Sequence, residues 1–284
     1  MIVKIYHDVT KRNEDMTMNQ YDNQKNYERI VLKVGTSSLT YPDGSLNEGQ
    51  IESICHETTN LQNQGKKVII VTSGAIGAGM GKLGLQEKPE RLEMKQALAA
   101  IGQASLIQIY QEHFSKENQL CAQVLLTKDV VTDDVQRKNV IRTFQTLLDL
   151  GVIPIVNEND TVSTDEIEGV KFSDNDHLSA VVSSLTSADF FIILSDIFGL
   201  QKKVDGKLTG EIIECVEHID ESTYEHVIGS KSKLGTGGMV TKLKSIELAV
   251  LEGIDTVLCH YSMIDQLNCI IQGKNVGTFF KGVK

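Results

Sequence analysis

Two lysines and two glycine-rich stretches form the part of this sequence best suited to handling an anion. Lys33 lies inside the apolar run "RIVLKV", two residues before Gly35, and Lys242 closes "GTGGMVTK" at residues 235–242. A lysine in an apolar strand is costly unless its charge is paired or used. Gly35-Thr36-Ser37 and Ser73-Gly74-Ala75 each follow an apolar run. Glycine lets backbone N–H groups approach an anion, and a following helix adds its positive end. "NENDT" and "SDNDHLSA" contribute carboxylates and amides. Together these groups can neutralise a triphosphate. They do not make a Walker A loop: Thr241 stands where the second glycine of G-x-x-x-x-G-K-[ST] belongs, and Leu243 follows Lys242. Taken singly, each stretch has a plain reading as a turn, a helix contact, a solvated loop, a hinge or a helix start capped by Asp174 or Asn175. Their combination points to phosphate.

The elements that position these residues follow from periodicity. "RIVLKV", "KVIIV", "CAQVLL", "VIPIV", "FFIIL" and "DTVLC" are short apolar runs rich in valine and isoleucine, separated by helical patterns. Such runs predict a mostly parallel sheet covered on both faces. Ile51, Ile54, Cys55, Thr58 and Leu61 fall on one helical face. Asn47 and Gln50 have capping-box spacing, and Gly65 suits the exit. Residues 91–113 form a further helix, as do "DVQRKNVIRTFQTLLDLG" and "VTKLKSIELAVLEG", each ending on glycine. "TVSTDEIEGVKF" breaks the rhythm and predicts a β-hairpin around Glu168-Gly169. Residues 1–28 are a polar extension with one short strand at "MIVKIY", and residues 29–284 are one domain. In an open parallel sheet ligands bind beyond the carboxyl ends of the strands, where these motifs sit.

Composition narrows the classes. The 284 residues are 40% hydrophobic with a formal net charge of -10, which argues against a nucleic-acid partner. No run reaches the roughly 20 apolar residues of a membrane span, and no signal-peptide core opens the chain. Five scattered cysteines without C-x-x-C spacing read as reduced thiols in a cytoplasmic protein. The seven histidines have no metal-ligand spacing, so no protein metal site is assigned.

The ordered series "VLKVGTSSL", "VIIVTSGAIGAG", "AAIGQ", "VLLT", "IPIVNENDTV", "SDNDHLSA" and "GTGGMVTK" resembles the amino-acid kinase family, and within it the members that phosphorylate free glutamate. The likeness runs from about Arg29 to Phe280. It implies a three-layer αβα sandwich with a largely parallel central sheet. It implies transfer of the ATP γ-phosphoryl group, with magnesium, to the L-glutamate side-chain carboxylate. The product would be L-glutamyl 5-phosphate, in the first step of proline biosynthesis. By resemblance, Lys33, Gly35, Thr36 and the amides near Ser73 and Gly74 hold the moving phosphoryl group. Ser73, Asp160 and Asn175, with Asn157 beside them, match glutamate-binding positions. Ser195 and Asp196 match a nucleotide-contacting pair. "GTGGMVTK" matches the nucleotide-side loop, with Thr236, Gly237, Gly238, Met239, Val240 and Thr241 near the phosphates and Lys242 reaching them. Asp176 is the acidic organiser of the lysines and of magnesium. The resemblance also implies a dimer or tetramer and proline as a feedback inhibitor.

The sequence departs from the family pattern in three places. Ser173 replaces the glycine of "GDND", and "FGLQKKVDG" lacks the tyrosine and proline usual after the fifth strand, which leaves nucleotide choice open. The sequence ends at Lys284, without room for the RNA-binding-type PUA domain that many bacterial members carry. The competing readings are a family member acting on N-acetylglutamate, aspartate, carbamate or UMP, and a sensor that binds ATP or an amino acid without turnover.

Overall fold

Alternation along the central strands determines the architecture. The computed structural model describes residues 25–41, 45–127, 129–162, 175–227 and 236–283. An eight-stranded sheet has the order β3 (Cys121–Leu126), β4 (Ile153–Glu158), β2 (Lys67–Val71), β1 (Arg29–Val34), β5 (Phe190–Ser195), β9 (Asp255–His260), β10 (Gly277–Phe280), β8 (Cys215–Val216). The strands from β3 to β9 are parallel, while β10 runs antiparallel to β9. All six strands expected from the sequence are present. Among the described residues, six longer helices cover the sheet: α1 (Glu48–Asn63), α2 (Ala75–Leu83), α3 (Leu92–Lys116), α4 (Asp134–Asp149), α5 (Asn175–Leu185) and α6 (Thr236–Leu251).

Successive side chains of a strand point to opposite faces, so each strand feeds two cores. Ile30, Leu32 and Val34 of β1 pack with Ile51, Ile54 and Leu61 of α1 and with Leu106 and Tyr110 of α3. Val31 packs on the other face with Val182 of α5 and with Leu243 and Ile246 of α6. The molecule is therefore a three-layer αβα sandwich. Lys33 shares the parity of Val31, which directs it toward α5 and α6.

The helix signals are seen with one change. Asn47 accepts from the Gln50 N–H at 3.2 Å, but the Gln50 side chain bonds to the Tyr261 carbonyl, so only half of the capping box forms. Gly65 leaves α1 with φ of +81°. Asp133 caps α4 through the N–H groups of Val135 and Gln136. The "FGLQKKVDG" segment folds into a hairpin of β6 (Gln201–Val204) and β7 (Lys207–Ile212), turned by Asp205 and Gly206, both with positive φ. The hairpin expected around Glu168-Gly169 and the strand at "MIVKIY" lie outside the described residues.

Two sets of contacts fix the fold, one beside the site and one at the opposite edge of the sheet. Gly79 of α2 and Gly102 of α3 let the helices touch: a Cβ on Gly102 would come within 1.8 Å of the Ala75 carbonyl oxygen. Near the far end of the sheet, buried Asp255 accepts from Tyr27 Oη at 2.7 Å and from the Gly282 N–H at 2.8 Å, and it pairs with Lys25. Tyr27 also stacks on Phe190, with ring centroids 4.2 Å apart. Asp255→Ala should lower unfolding stability by about 2–4 kcal/mol, because it removes the acceptor of the buried Tyr27 hydroxyl and the carboxylate paired with Lys25. Urea denaturation measures this, and a change near zero would mean that Asp255 does not tie Lys25 and Tyr27 to Gly282.

Candidate active site

The carboxyl ends of four adjacent strands, β4, β2, β1 and β5, converge on one edge of the sheet. Register places Val71 beside both Lys33 and Val156, and Val34 beside Leu194. The loops carrying Gly35 and Ser73 and the end of β4 carrying Asn157 are therefore neighbours, with Ser195 one strand over. Strands β2 and β5 leave β1 on opposite sides, which opens a crevice where the chain direction of winding changes.

Asp176, in the first turn of α5, is fully buried between two cations. Lys33 Nζ pairs with its Oδ1, and Lys242 Nζ lies 3.2 Å from its Oδ2. The side chains are 4% exposed for Lys33, 0% for Asp176 and 16% for Lys242, so Lys242 is the cation with more access to solvent. A Cβ built on Gly35 would stand 3.6 Å from Lys33 Nζ, which places that ammonium beneath its own loop. Two lysines on one carboxylate leave one net positive charge at the edge of the sheet. Burial alone would push the Asp176 carboxyl up. The Lys33 and Lys242 ammonium groups outweigh it and hold the carboxyl below the usual value. A group depressed in the folded state stabilises above its unfolded value and loses that contribution as pH falls through the folded one. Stability should therefore drop as pH is lowered below about 4. Urea unfolding across this range should give a shallower acid slope for Asp176→Asn, and equal slopes would mean the pair does not carry the effect.

Beside this triad lies an amide relay. Asn175 Nδ2 donates to the Thr72 carbonyl at 2.9 Å, to Ser73 Oγ at 2.8 Å and to Asn157 Oδ1 at 3.1 Å. Asn157 Nδ2 donates in turn to Gln103 Oε1 at 2.8 Å. Gly74 begins α2 in the left-handed region, with φ of +91°, a conformation that glycine adopts without strain. A cavity of about 270 Å³ opens here, lined in part by Thr36, Gly74, Lys88, Asn157, Asp160 and Asn175. That is near the lower end of the roughly 300–1,000 Å³ of small-molecule pockets.

The expected nucleotide-side residues lie farther round the edge. Ser195 Oγ donates to Asp196 Oδ1 at 3.0 Å, and Ser195 pairs in register with His260. The His260 ring stacks on Phe198 with centroids 4.3 Å apart, and burial lowers its pKa against the opposing pull of Asp196. "GTGGMVTK" is not a loop over its described length. Residues from Thr236 onward, Gly237 included, are the first turns of α6, where orphan N–H groups face outward from the helix start. Gly238 accepts from Thr241 Oγ1 at 2.9 Å, while Met239 and Val240 pack partly against the core. Gln103 and Lys88 were not singled out from the sequence. Gln103 stands in "AAIGQ", whose glycine marks the helix crossing, whereas nothing local marks Lys88.

Among the described residues no helix is long and apolar enough to cross a membrane, and no three His, Cys, Asp or Glu side chains cluster as metal ligands. The fold matches that of UMP kinase from Bacillus anthracis, with a TM-score of 0.59 and 16% identity over 92% of this chain and 98% of that one. The amino acid kinase family model matches residues 28–260. The chain belongs to the amino acid kinase family. Its curated relatives carry a narrower name. Glutamate 5-kinase from Clostridium perfringens (strain 13 / Type A) is 46% identical over 266 residues, covering 92% of this chain and 97% of the relative. That of Clostridium tetani (strain Massachusetts / E88) is 44% identical, covering 95% of this chain and all of the relative. That of Thermoanaerobacter sp. (strain X514) is 46% identical over 90% of this chain and 68% of its own length.

Proposed function

We propose that this protein transfers the γ-phosphoryl group of ATP to the side-chain carboxylate of L-glutamate, giving L-glutamyl 5-phosphate in the first step of proline biosynthesis. The observation that carries this reading is the Lys33–Asp176–Lys242 triad beside the Asn175–Asn157 relay, whose two amides line the cavity. The names of the relatives supply the acceptor.

The reaction forms a bond between a γ-carboxylate oxygen and the γ-phosphorus while the bond to the β-bridging oxygen breaks, and ADP leaves with that electron pair. A glutamate side chain has a reference pKa near ~4.3, so it arrives ionised and no general base is needed. What remains is in-line positioning and neutralisation of charge. Magnesium, arriving with ATP, would supply further neutralisation of the phosphate charge. Lys33, with Gly35, Thr36 and Gly74, is assigned to the phosphoryl group in transit, and Lys242 with the start of α6 to the leaving phosphates. Asp176 holds the two ammonium groups apart and aimed. Ser73, Asn157 and Asn175 orient the acceptor, Asp160 supplies an anion for its α-ammonium group, and Ser195 and Asp196 face the nucleotide.

Acyl phosphates react with hydroxylamine, so the test is hydroxamate formation from magnesium-ATP with glutamate, aspartate and N-acetylglutamate, alongside ADP release with carbamate and UMP. Hydroxamate with glutamate is expected. Turnover with another acceptor and none with glutamate would overturn the reading. Inhibition by proline and assembly as a dimer or tetramer, supported by the family resemblance, belong to the same proposal. Proline titration and light scattering test them.

A further inference from the structure

Free glutamate brings three charges to this pocket, and the reaction uses only one of them. The γ-carboxylate must face Lys33 and the Gly35 loop. The α-ammonium group needs an anion, and among the described residues Asp160 and Glu158 are the carboxylates on the cavity wall. The α-carboxylate therefore needs a cation away from the triad. Among the described residues, the one lysine lining the cavity is Lys88, from the segment that joins α2 to α3. Lys33 and Lys242 are both committed to Asp176. Lys88 is exposed, and among the described residues no ion pair or hydrogen bond engages it. Pro89 follows it, which biases Lys88 toward extended backbone and limits the conformations of the segment. The close crossing of α2 and α3 at Gly79 and Gly102 holds both ends of this short connection.

We infer that Lys88 is a specificity-determining residue that binds the α-carboxylate of the acceptor. It completes, with the acidic wall, a subsite for the zwitterionic end of an α-amino dicarboxylate. Lysine opposite a carboxylate and a carboxylate opposite an ammonium match that end in both signs, and such complementarity selects against acceptors with a neutral or wholly anionic end. The inference rests on the reaction proposed above.

The experiment compares wild type, Lys88→Met, Lys88→Arg and Lys82→Met in the hydroxamate assay. Lys82 is an exposed lysine at the end of α2 outside the cavity, so its removal changes net charge equally. Wild type that forms no hydroxamate with glutamate fails the functional reading itself, before any variant is compared. With an active wild type, Lys88→Met should raise the glutamate KM by roughly 5- to 30-fold. It should leave kcat within about threefold and the ATP KM unchanged, with Lys88→Arg restoring most of the affinity. L-isoglutamine, whose α-carboxylate is an amide, should lose less affinity to the substitution than glutamate does when used as a competitor. An unchanged glutamate KM overturns the assignment, as does an equal rise in Lys82→Met. An equal loss for isoglutamine and glutamate also overturns it, because Lys88 would then be acting on some other group.

Discussion

Lys242→Met should fold normally and lose turnover by roughly 10²- to 10⁴-fold with magnesium-ATP and glutamate. The size follows from what the residue would have to do. Charge builds on the β-bridging oxygen as the γ-phosphoryl group departs, and an ammonium group held beside it acts without reorganisation. The fold should survive because Lys33 stays paired with Asp176, and because the Lys242 side chain is the more exposed of the two lysines. Methionine keeps the apolar stem that packs along α6. The check is kcat by ADP release beside urea denaturation of the same sample. Turnover within tenfold of wild type in a folded variant would remove Lys242 from the chemistry.

Lys33→Met should be the most destabilising single change at the site, by about 3–5 kcal/mol. Here the substitution acts through its partner. Asp176 is completely buried, and Lys33→Met removes the buried ammonium group paired with its Oδ1, leaving as the cation beside it a lysine that is partly open to water, 3.2 Å from Oδ2. A buried carboxylate so poorly compensated must either remain ionised at high cost or take up a proton. Adding Asp176→Asn to Lys33→Met should therefore recover part of the lost stability, although both proteins remain inactive. That recovery separates an electrostatic penalty from lost packing: if the double variant is no more stable than Lys33→Met, the carboxylate is not the source of the cost.

How much of this was legible in the sequence differs by kind of contact. Runs such as "KVIIV" and "FFIIL" are buried on both faces, so their apolar composition alone predicted central strands. Lys33 stood out because it interrupts such a run, and strand parity puts it on the α5 side. Its partner was not derivable that way, since Asp176 meets it only once α5 has packed across β1. The α6 start was misjudged because glycines favour loops locally, whereas in the first turn of a helix their N–H groups need no intrahelical acceptor. The β6–β7 hairpin did carry a signal, Asp205-Gly206, which has the positive φ values such a turn requires. Gln103 carried one only through "AAIGQ", whose glycine marks the helix crossing that brings it to Asn157, and Lys88 gave none, because no local pattern marks it.

The position of β1 also governs how the chain can be made. Among the described residues it is the first strand of the sheet in sequence, yet it lies in the middle, with β5 as one partner and Arg29 bonded to Asp189, 160 residues later. A ribosome adding 5–20 residues per second needs on the order of 10–30 s to deliver that partner. Throughout this interval β1 can pair with β2 on one side only, and its other edge, apolar and buried in the finished protein, stays open to any strand it meets. Lys33 interrupts that edge with a charge. The residue assigned to phosphate can thus also act during synthesis as a gatekeeper against premature association.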